Sequence, residues 1–361
     1  MEKFDFTQIL YKKDNKELID LKEFSLQPLF HFQHKKMKNY AVFSSRIKNI
    51  LEHLRRMKAS FTIPLLITGD TGVGKEMIAE FMHYEVDQSE GPYIAINCSN
   101  INKELFETEL FGYVKGAFTG AHPEGWEGYI KQAQKGTLFM DEISDINKEI
   151  QSKLLRVLET GEYYKIGGQT KLKINSRLIF ATNINLEKMV ENGDFREDLF
   201  YRLNIVKADI PPLAKRKEEI IPLVLFFISQ LNNKFNKSIR YIETIVLKLL
   251  YSYNWPGNIR ELKNFLTQIM IFADGDCIKY EHLQKKDELD RSYTQMQKLP
   301  ENKIGEEEMI NRLLENPLDL EAFTMKIVKK TLEKFNGNKS KASKYLGLKR
   351  EQLYNRYNTE K

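Results

Sequence analysis

The octapeptide Gly69-Asp-Thr-Gly-Val-Gly74-Lys75-Glu76 has the residue types and spacing of a loop that cradles phosphates. Gly69, Gly72 and Gly74 let backbone N–H groups turn inward around phosphate oxygens, Asp70, Thr71 and Val73 complete the turn, and Lys75 is long enough to reach the outer phosphates. A helix opening at Lys75 adds positive potential from its N-terminus. Such a loop binds ATP. Most loops of this kind end in Ser or Thr, whose hydroxyl binds Mg2+; Glu76 stands there instead, so other groups must hold most of the metal. Gly136-Thr-Leu-Phe-Met-Asp141-Glu142 supplies candidates, an apolar strand ending in paired carboxylates. Asp141 at the strand tip suits Mg2+, and Glu142 suits polarising the water that attacks the terminal phosphate. The two motifs together predict ATP hydrolysis.

For these groups to meet, the loop must join a strand to a helix and the acidic pair must end a neighbouring strand. The pattern provides both. Residues 62–68, Thr-Ile-Pro-Leu-Leu-Ile-Thr, read as a buried strand, with further strands at 93–97, 137–140 and 176–182. Helical spacing appears over 43–57, through Ile47, Ile50, Leu51 and Leu54, and again over 148–160. Alternation of this kind predicts an α/β core, a mostly parallel sheet between helices. After Pro211-Pro212 the pattern turns wholly helical, over 218–233, 242–251 and 258–273, which predicts a small helical subdomain. Residues 285–317 are charged and weakly periodic and read as a linker. Residues 1–37 mix charge and aromatics without period, are too few for a separate domain, and receive no role. The expected boundaries are therefore 1–37, 38–213, 214–282, 283–318 and 319–361.

At 361 residues, 42% hydrophobic and 29% charged, the chain has the composition of a soluble globular protein of two to four units. The longest apolar run, 220–228, is broken by Pro222 and is too short to span a membrane. The start, Met-Glu-Lys-Phe-Asp-Phe, lacks the features of a secretory signal, so a cytoplasmic protein is expected. Cys98 and Cys277, the only cysteines, have no metal-ligand spacing, which argues against a zinc site or a disulfide framework.

Between the two ATP motifs lies Gly116-Ala117-Phe118-Thr119-Gly120-Ala121. Its glycines flank one aromatic and one hydroxyl, and it reads as a mobile contact loop. At this point the chain resembles the AAA+ enhancer-binding proteins, the activators that remodel RNA polymerase carrying sigma-54. The resemblance runs from about residue 39 to 278 and resumes over 321–357, and it is to members without an N-terminal receiver domain. It implies a P-loop AAA+ three-layer core with a helical lid, a sigma-54 contact at 116–121, and self-association into a ring, expected to be a hexamer. In that family the phosphate loop commonly ends in Glu, so Glu76 becomes a mark of the subfamily.

By the same resemblance Asn97 restrains the catalytic glutamate, or simply caps its strand. Asn183 senses the terminal phosphate or its water, or again caps a strand. Arg196 and Arg202 reach into a neighbouring subunit's site, where a guanidinium stabilises developing charge; the bland alternative for each is a surface ion pair. Trp255-Pro-Gly-Asn-Ile-Arg260 resembles the second sensor, which places Arg260 over the nucleotide. Residues 161–170 fall where the family has a loop supporting the contact loop, although Gly167-Gly168 would equally suit a plain hairpin.

The charge of +6 is not evenly spread: residues 321–361 hold eleven Lys and Arg against four Glu, leaving about −1 for the rest of the chain. Helices over 320–335, 339–346 and 349–357, with Asn336-Gly-Asn338 between the first two, form a helix-turn-helix pattern. It resembles the Fis-type domains that end this family. Lys339, Ser340 and Lys341 would meet DNA phosphates; Lys349, Arg350, Gln352, Asn355 and Arg356 lie on the helix that would enter the major groove. The expected partners are thus sigma-54 holoenzyme, double-stranded DNA upstream of promoters, and further copies of the chain, with ATP and Mg2+ as cofactors. Control stays open between constitutive activity, expression level and a regulatory protein acting in trans.

Overall fold

A computed structural model describes residues 14–23, 27–30, 32, 36–37, 40–59, 62–102, 104–298, 327–332, 335 and 338–346. The chain divides into two compact units, Met1–Met296 and Gln297–Lys361. Among the described residues no helix is long and apolar enough to cross a membrane.

The strands of the first unit are β1 (Leu18–Asp20), β2 (Leu65–Thr68), β3 (Tyr93–Asn97), β4 (Thr137–Asp141), β5 (Glu162–Tyr163), β6 (Leu172–Lys173), β7 (Arg177–Thr182), β8 (Val206–Asp209), β9 (Tyr241–Glu243) and β10 (Cys277–Ile278). Its main helices are α1 (Ser45–Arg55), α2 (Lys75–Phe81), α3 (Phe106–Phe111), α4 (Tyr129–Gln132), α5 (Lys148–Thr160), α6 (Leu186–Glu191), α7 (Glu197–Leu203), α8 (Ile220–Phe235), α9 (Thr244–Ser252), α10 (Asn258–Phe272) and α11 (Lys286–Lys298). Five strands form one sheet in the order β3-β4-β7-β2-β8, and every pair in it is parallel.

Alternate residues of these strands point to opposite faces, and both faces are covered. Leu66, Leu138, Met140 and Phe180 pack on one side with Leu110, Leu154 and Leu199 of α3, α5 and α7. Leu65, Ile67, Phe139, Ile179 and Ala181 pack on the other with Leu51 of α1 and Ile78 of α2. Burial on both sides is why these strands read as continuous apolar runs and why the core has three layers. Edge strand β8 escapes such a reading, because Ala208 is buried while Lys207 and Asp209 are exposed.

The lid packs Ile221, Val224 and Ile228 of α8 against Leu247 and Leu250 of α9 and Leu262, Leu266 and Ile269 of α10. Two features here depart from the sequence reading. The N-terminal stretch left without a role contributes β1, which pairs antiparallel with β9, Ile19 opposite Ile242, and Asp20 binds Arg240 at 2.6 Å. Three residues are too short a stretch for periodicity to register. Further along the same stretch, Phe30 bridges to Val42 and packs against Phe81 at 5.4 Å between ring centroids. The expected linker, in turn, begins with helix α11. Leu289 is buried and Tyr293 packs beside it, four residues on and on the same helical face, while Tyr280 Oη donates to Asp290 at 2.6 Å. A stripe that narrow is lost among polar neighbours in the sequence.

In the second unit residues 327–332 are helical and Val328 and Leu332 are buried together with Ala342 of helix Lys339–Tyr345. The Asn338 side-chain oxygen accepts from the Lys341 N–H at 3.1 Å, a helix-start cap. The rings of Phe335 and Tyr345 meet at 5.3 Å. Lys339, Ser340 and Lys341 thus sit in the first turn of this helix. Lys349, Arg350, Gln352, Asn355 and Arg356 lie outside the described residues.

Candidate nucleotide site and contact loop

Residues 69–76 connect the C-terminal end of β2 to the first turn of α2. Gly69, Gly72 and Gly74 have φ of +149°, +79° and +110°, conformations that a side chain would strain. Space alone also demands glycine at two of them: a Cβ at Gly69 would lie 2.7 Å from the Ile210 carbonyl oxygen, and one at Gly72 would lie 2.4 Å from that of Gly257. Lys75 Nζ donates to the Gly69 and Asp70 carbonyls at 2.8 and 3.3 Å. Burial depresses its pKa, opposed by the charges of Asp141 and Glu142, so an ammonium ready to leave water sits before two carboxylates.

Parallel pairing of β3, β4, β7 and β2 brings their C-terminal ends to one edge of the sheet, which is where Asn97, Asp141, Asn183 and the loop all fall. Asp141 ends β4 opposite Asn97, and burial raises its carboxyl pKa while Lys75 pulls the other way. The Glu142 N–H donates to Asp141 Oδ1 at 3.0 Å. Glu142 itself turns off the strand with φ +57° and ψ +47°, a left-handed backbone uncommon for a non-glycine residue. Asn183 Nδ2 donates to Thr71 Oγ1 at 3.0 Å, tying the end of β7 to the loop. A cleft of about 220 Å³ lies alongside, bounded by Thr68, Asp70, Asn183, Lys207 and Asp209.

Three of the sequence candidates make their hydrogen bonds away from the phosphate loop, although Asn97 lies at the same sheet edge. Asn97 Oδ1 accepts from the Ser99 N–H at 2.9 Å and its hydroxyl at 2.6 Å, so in this state it caps its own turn. Arg196 is held by Asp198 at 2.6 Å and by Ser152 Oγ at 3.1 Å. Arg202 donates twice to the Leu158 carbonyl, at 3.0 and 2.7 Å, near the C-terminal end of α5. None of these bonds reaches the phosphate loop of the same chain. Arg260 lies exposed in the first turn of α10, near enough to Lys75 and Asp141 to shift both their pKa values.

Two residues that sequence reasoning did not single out touch the loop directly. Asn258 Nδ2 donates to the Thr71 carbonyl at 3.0 Å, and Arg216 Nη2 donates to the Val73 carbonyl at 2.8 Å. Asn258 lay inside the Trp255 motif and was available to notice. Arg216 sits in the run Lys215-Arg216-Lys217, which in sequence looks like a solvated charge cluster. In space it is 2% exposed.

Residues 116–121 project from a braced neck. Tyr113 bridges antiparallel to Trp126 and parallel to Ile166, and its ring meets Phe118 edge-on at 5.0 Å. Phe118 and Trp126 are each 41% exposed, unusual for large apolar side chains. The stretch 161–170 holds β5 and most of its connection to the antiparallel β6, and it braces the neck, with the Val114 N–H donating to the Ile166 carbonyl at 3.1 Å and Lys165 ion-paired to Glu127.

Comparison with known proteins agrees with this architecture. Residues 41–209 match the sigma-54 interaction domain, 214–299 the AAA+ ATPase lid domain, and 320–357 the Fis family of bacterial regulatory proteins. The nitrogen fixation protein AnfA of Azotobacter vinelandii is 40% identical over 235 residues, 65% of this chain and 44% of that protein. The regulatory protein AtoC of Escherichia coli is 36% identical, over 80% of this chain and 60% of that protein, and the transcriptional regulator NtrC of Rhizobium meliloti 40% identical, over 67% and 50%. The chain thus spans roughly half the length of these relatives. Among solved structures, NtrX of Brucella abortus in complex with ADP superposes with a TM-score of 0.62 at 29% identity, covering 88% of this chain and 68% of that one. The same protein in complex with ATP gives 0.62 at 28%, covering 90% and 69%. With a sigma-54 interaction domain, an AAA+ lid and a Fis-type segment in that order, the chain belongs to the family of sigma-54-dependent transcriptional regulators.

Proposed function

We propose that the chain is an ATP-dependent activator that binds DNA upstream of promoters, hydrolyses ATP, and uses the motion to remodel sigma-54 RNA polymerase holoenzyme toward an open promoter. The observation that carries this reading is the exposed loop 116–121, with a partly exposed Phe118 and a braced neck at Tyr113, in the same unit as the phosphate loop. A nucleotide-binding regulator with no remodelling task has no use for such a projection.

Lys75 binds the outer phosphates, exchanging the Gly69 and Asp70 carbonyls for phosphate oxygens. Glu142 polarises the attacking water and Asn183 orients it from its position on Thr71. Arg260 covers the nucleotide from the lid. The residues fit a Mg2+–nucleotide complex: the Asp141 carboxylate ends β4 within electrostatic reach of Lys75, so it would hold the ion together with the phosphates, as is usual for Mg2+. Bound there, Mg2+ would neutralise charge on the phosphate oxygens. Arg196 and Arg202, remote from their own chain's loop, serve the neighbouring subunit's site in a ring, which we take to be a hexamer. Asn97 alternates between the Ser99 turn and Glu142 as the nucleotide state changes.

Purified protein, sigma-54 holoenzyme and a sigma-54-dependent promoter test the proposal. Promoter opening that requires hydrolysable ATP is expected. ATP hydrolysis without promoter opening would sink it.

A further inference from the structure

The phosphate loop contains five consecutive carbonyls with partners, and they fall into two groups. Gly69 and Asp70 are taken by Lys75, a side chain free to move to a phosphate. Thr71, Gly72 and Val73 are taken from the lid side: Asn258 Nδ2 at 3.0 Å, the Ile259 N–H at 3.0 Å and Arg216 Nη2 at 2.8 Å. The peptides are trans, so a carbonyl drawn to one side directs the N–H of the next residue to the other. Holding Thr71 and Val73 outward therefore presents the Gly72 and Gly74 N–H groups to the interior of the loop, where phosphate oxygens bind. In an unliganded loop those N–H groups would otherwise be free to rotate with their glycines.

Both side chains are built for the task. Arg216 donates to three acceptors at once, Val73 O, Pro211 O at 3.1 Å and Glu219 Oε2 at 2.6 Å, and Glu219 Oε1 in turn accepts the Ser44 N–H at 2.8 Å. A planar guanidinium with divergent donors meets that geometry and an ammonium does not. Asn258, 1% exposed, uses its other end as well: Oδ1 accepts the Leu213 N–H at 2.7 Å. Each residue joins the phosphate loop to the crossover that leads into the lid, so the loop's shape and the lid's position are set by the same two side chains.

We propose that Arg216 and Asn258 are positioning residues that hold the phosphate-loop carbonyls outward, pre-aiming the Gly72 and Gly74 N–H groups at the nucleotide's phosphates and tying that arrangement to the lid. This role rests on the ATPase reading of the same site. It acts on binding of the phosphates and leaves the reacting groups Glu142 and Asn183 in place.

Steady-state ATPase assays and ADP titrations on the full chain test it, with Arg216→Lys and Asn258→Asp. In each variant KM for ATP and Kd for ADP should rise about tenfold, the order expected for one hydrogen bond of preorganisation, while kcat at saturation stays within about threefold. Asn258→Asp still accepts from Leu213 but adds a negative charge near the phosphates, so the uncharged Asn258→Ser is measured beside it and must show the same rise in KM and Kd; it also serves as the probe should Arg216→Lys fail to fold. Folded variants with unchanged KM and Kd, or with kcat lost and KM kept, would overturn the role. A wild-type chain that binds neither ATP nor ADP would instead remove the nucleotide reading on which it stands.

Discussion

At the scale of single residues, the proposed chemistry assigns one set of groups to phosphate and another to polymerase, and each assignment has its own test. Lys75→Ala removes a flexible cation beside Asp141 and Glu142, and nucleotide binding measured by titration should fall by at least tenfold. Glu142→Gln keeps the size of the side chain and loses the base. It should bind ATP normally while turnover drops on the order of 10²- to 10⁴-fold, and undiminished turnover would dismiss Glu142 as the water-polarising group. Thr119→Ala, on the projecting loop, should hydrolyse ATP at near wild-type rate and fail in promoter opening; survival of both would move the contact elsewhere. Lys75, Asp141 and Glu142 were legible in the sequence because their residue types are the chemistry. Arg216 was not, because its partner is a main-chain carbonyl 143 residues away, and although Asn258 stands inside the Trp255 motif, its partner, a carbonyl 187 residues away, is encoded by no local pattern.

At the scale of elements, what matters is how tightly loop, sheet and lid are seated. Gly72→Ala places a Cβ 2.4 Å from the Gly257 carbonyl at a φ of +79°, so loop and lid must separate to admit it. The variant should fold with somewhat lowered stability and lose ATP affinity, read by thermal melting with and without nucleotide; full nucleotide-induced stabilisation would show that this contact does not matter. Away from the site, Arg177 at the start of β7 is buried and paired with Asp87 at 2.8 Å. Asp87→Ala should destabilise the first unit by about 3–5 kcal/mol in urea unfolding, since it leaves a buried charge without its carboxylate. The core strands could be read in sequence because burial on both faces makes them wholly apolar. By contrast β1, β8 and α11 each bury only one or two side chains, and their pairing partners, not their composition, make them strand or helix.

At the scale of the molecule, the two arginines at 196 and 202 point to assembly. Their hydrogen bonds run to Asp198, Ser152 and the Leu158 carbonyl, so in one chain they complete no catalytic site. If they act across an interface, mixing Arg196→Ala with Lys75→Ala subunits should restore part of the ATPase activity absent from either alone; no recovery at any mixing ratio would confine the arginine to its surface ion pair. By itself the sequence determined which residue types stand together: a Gly-rich loop ending in Lys75, a carboxylate pair, a Gly-flanked aromatic and hydroxyl loop and a basic tail, all of which are local strings. The tertiary structure alone decided how these strings cooperate. Parallel pairing gathers Asn97, Asp141, Asn183 and the loop at one sheet edge, β1 joins the lid, and Arg216 and Asn258 lock the loop from the lid side. Each of those arrangements depends on hydrogen bonds between segments far apart in the chain, where geometry rather than residue type carries the information.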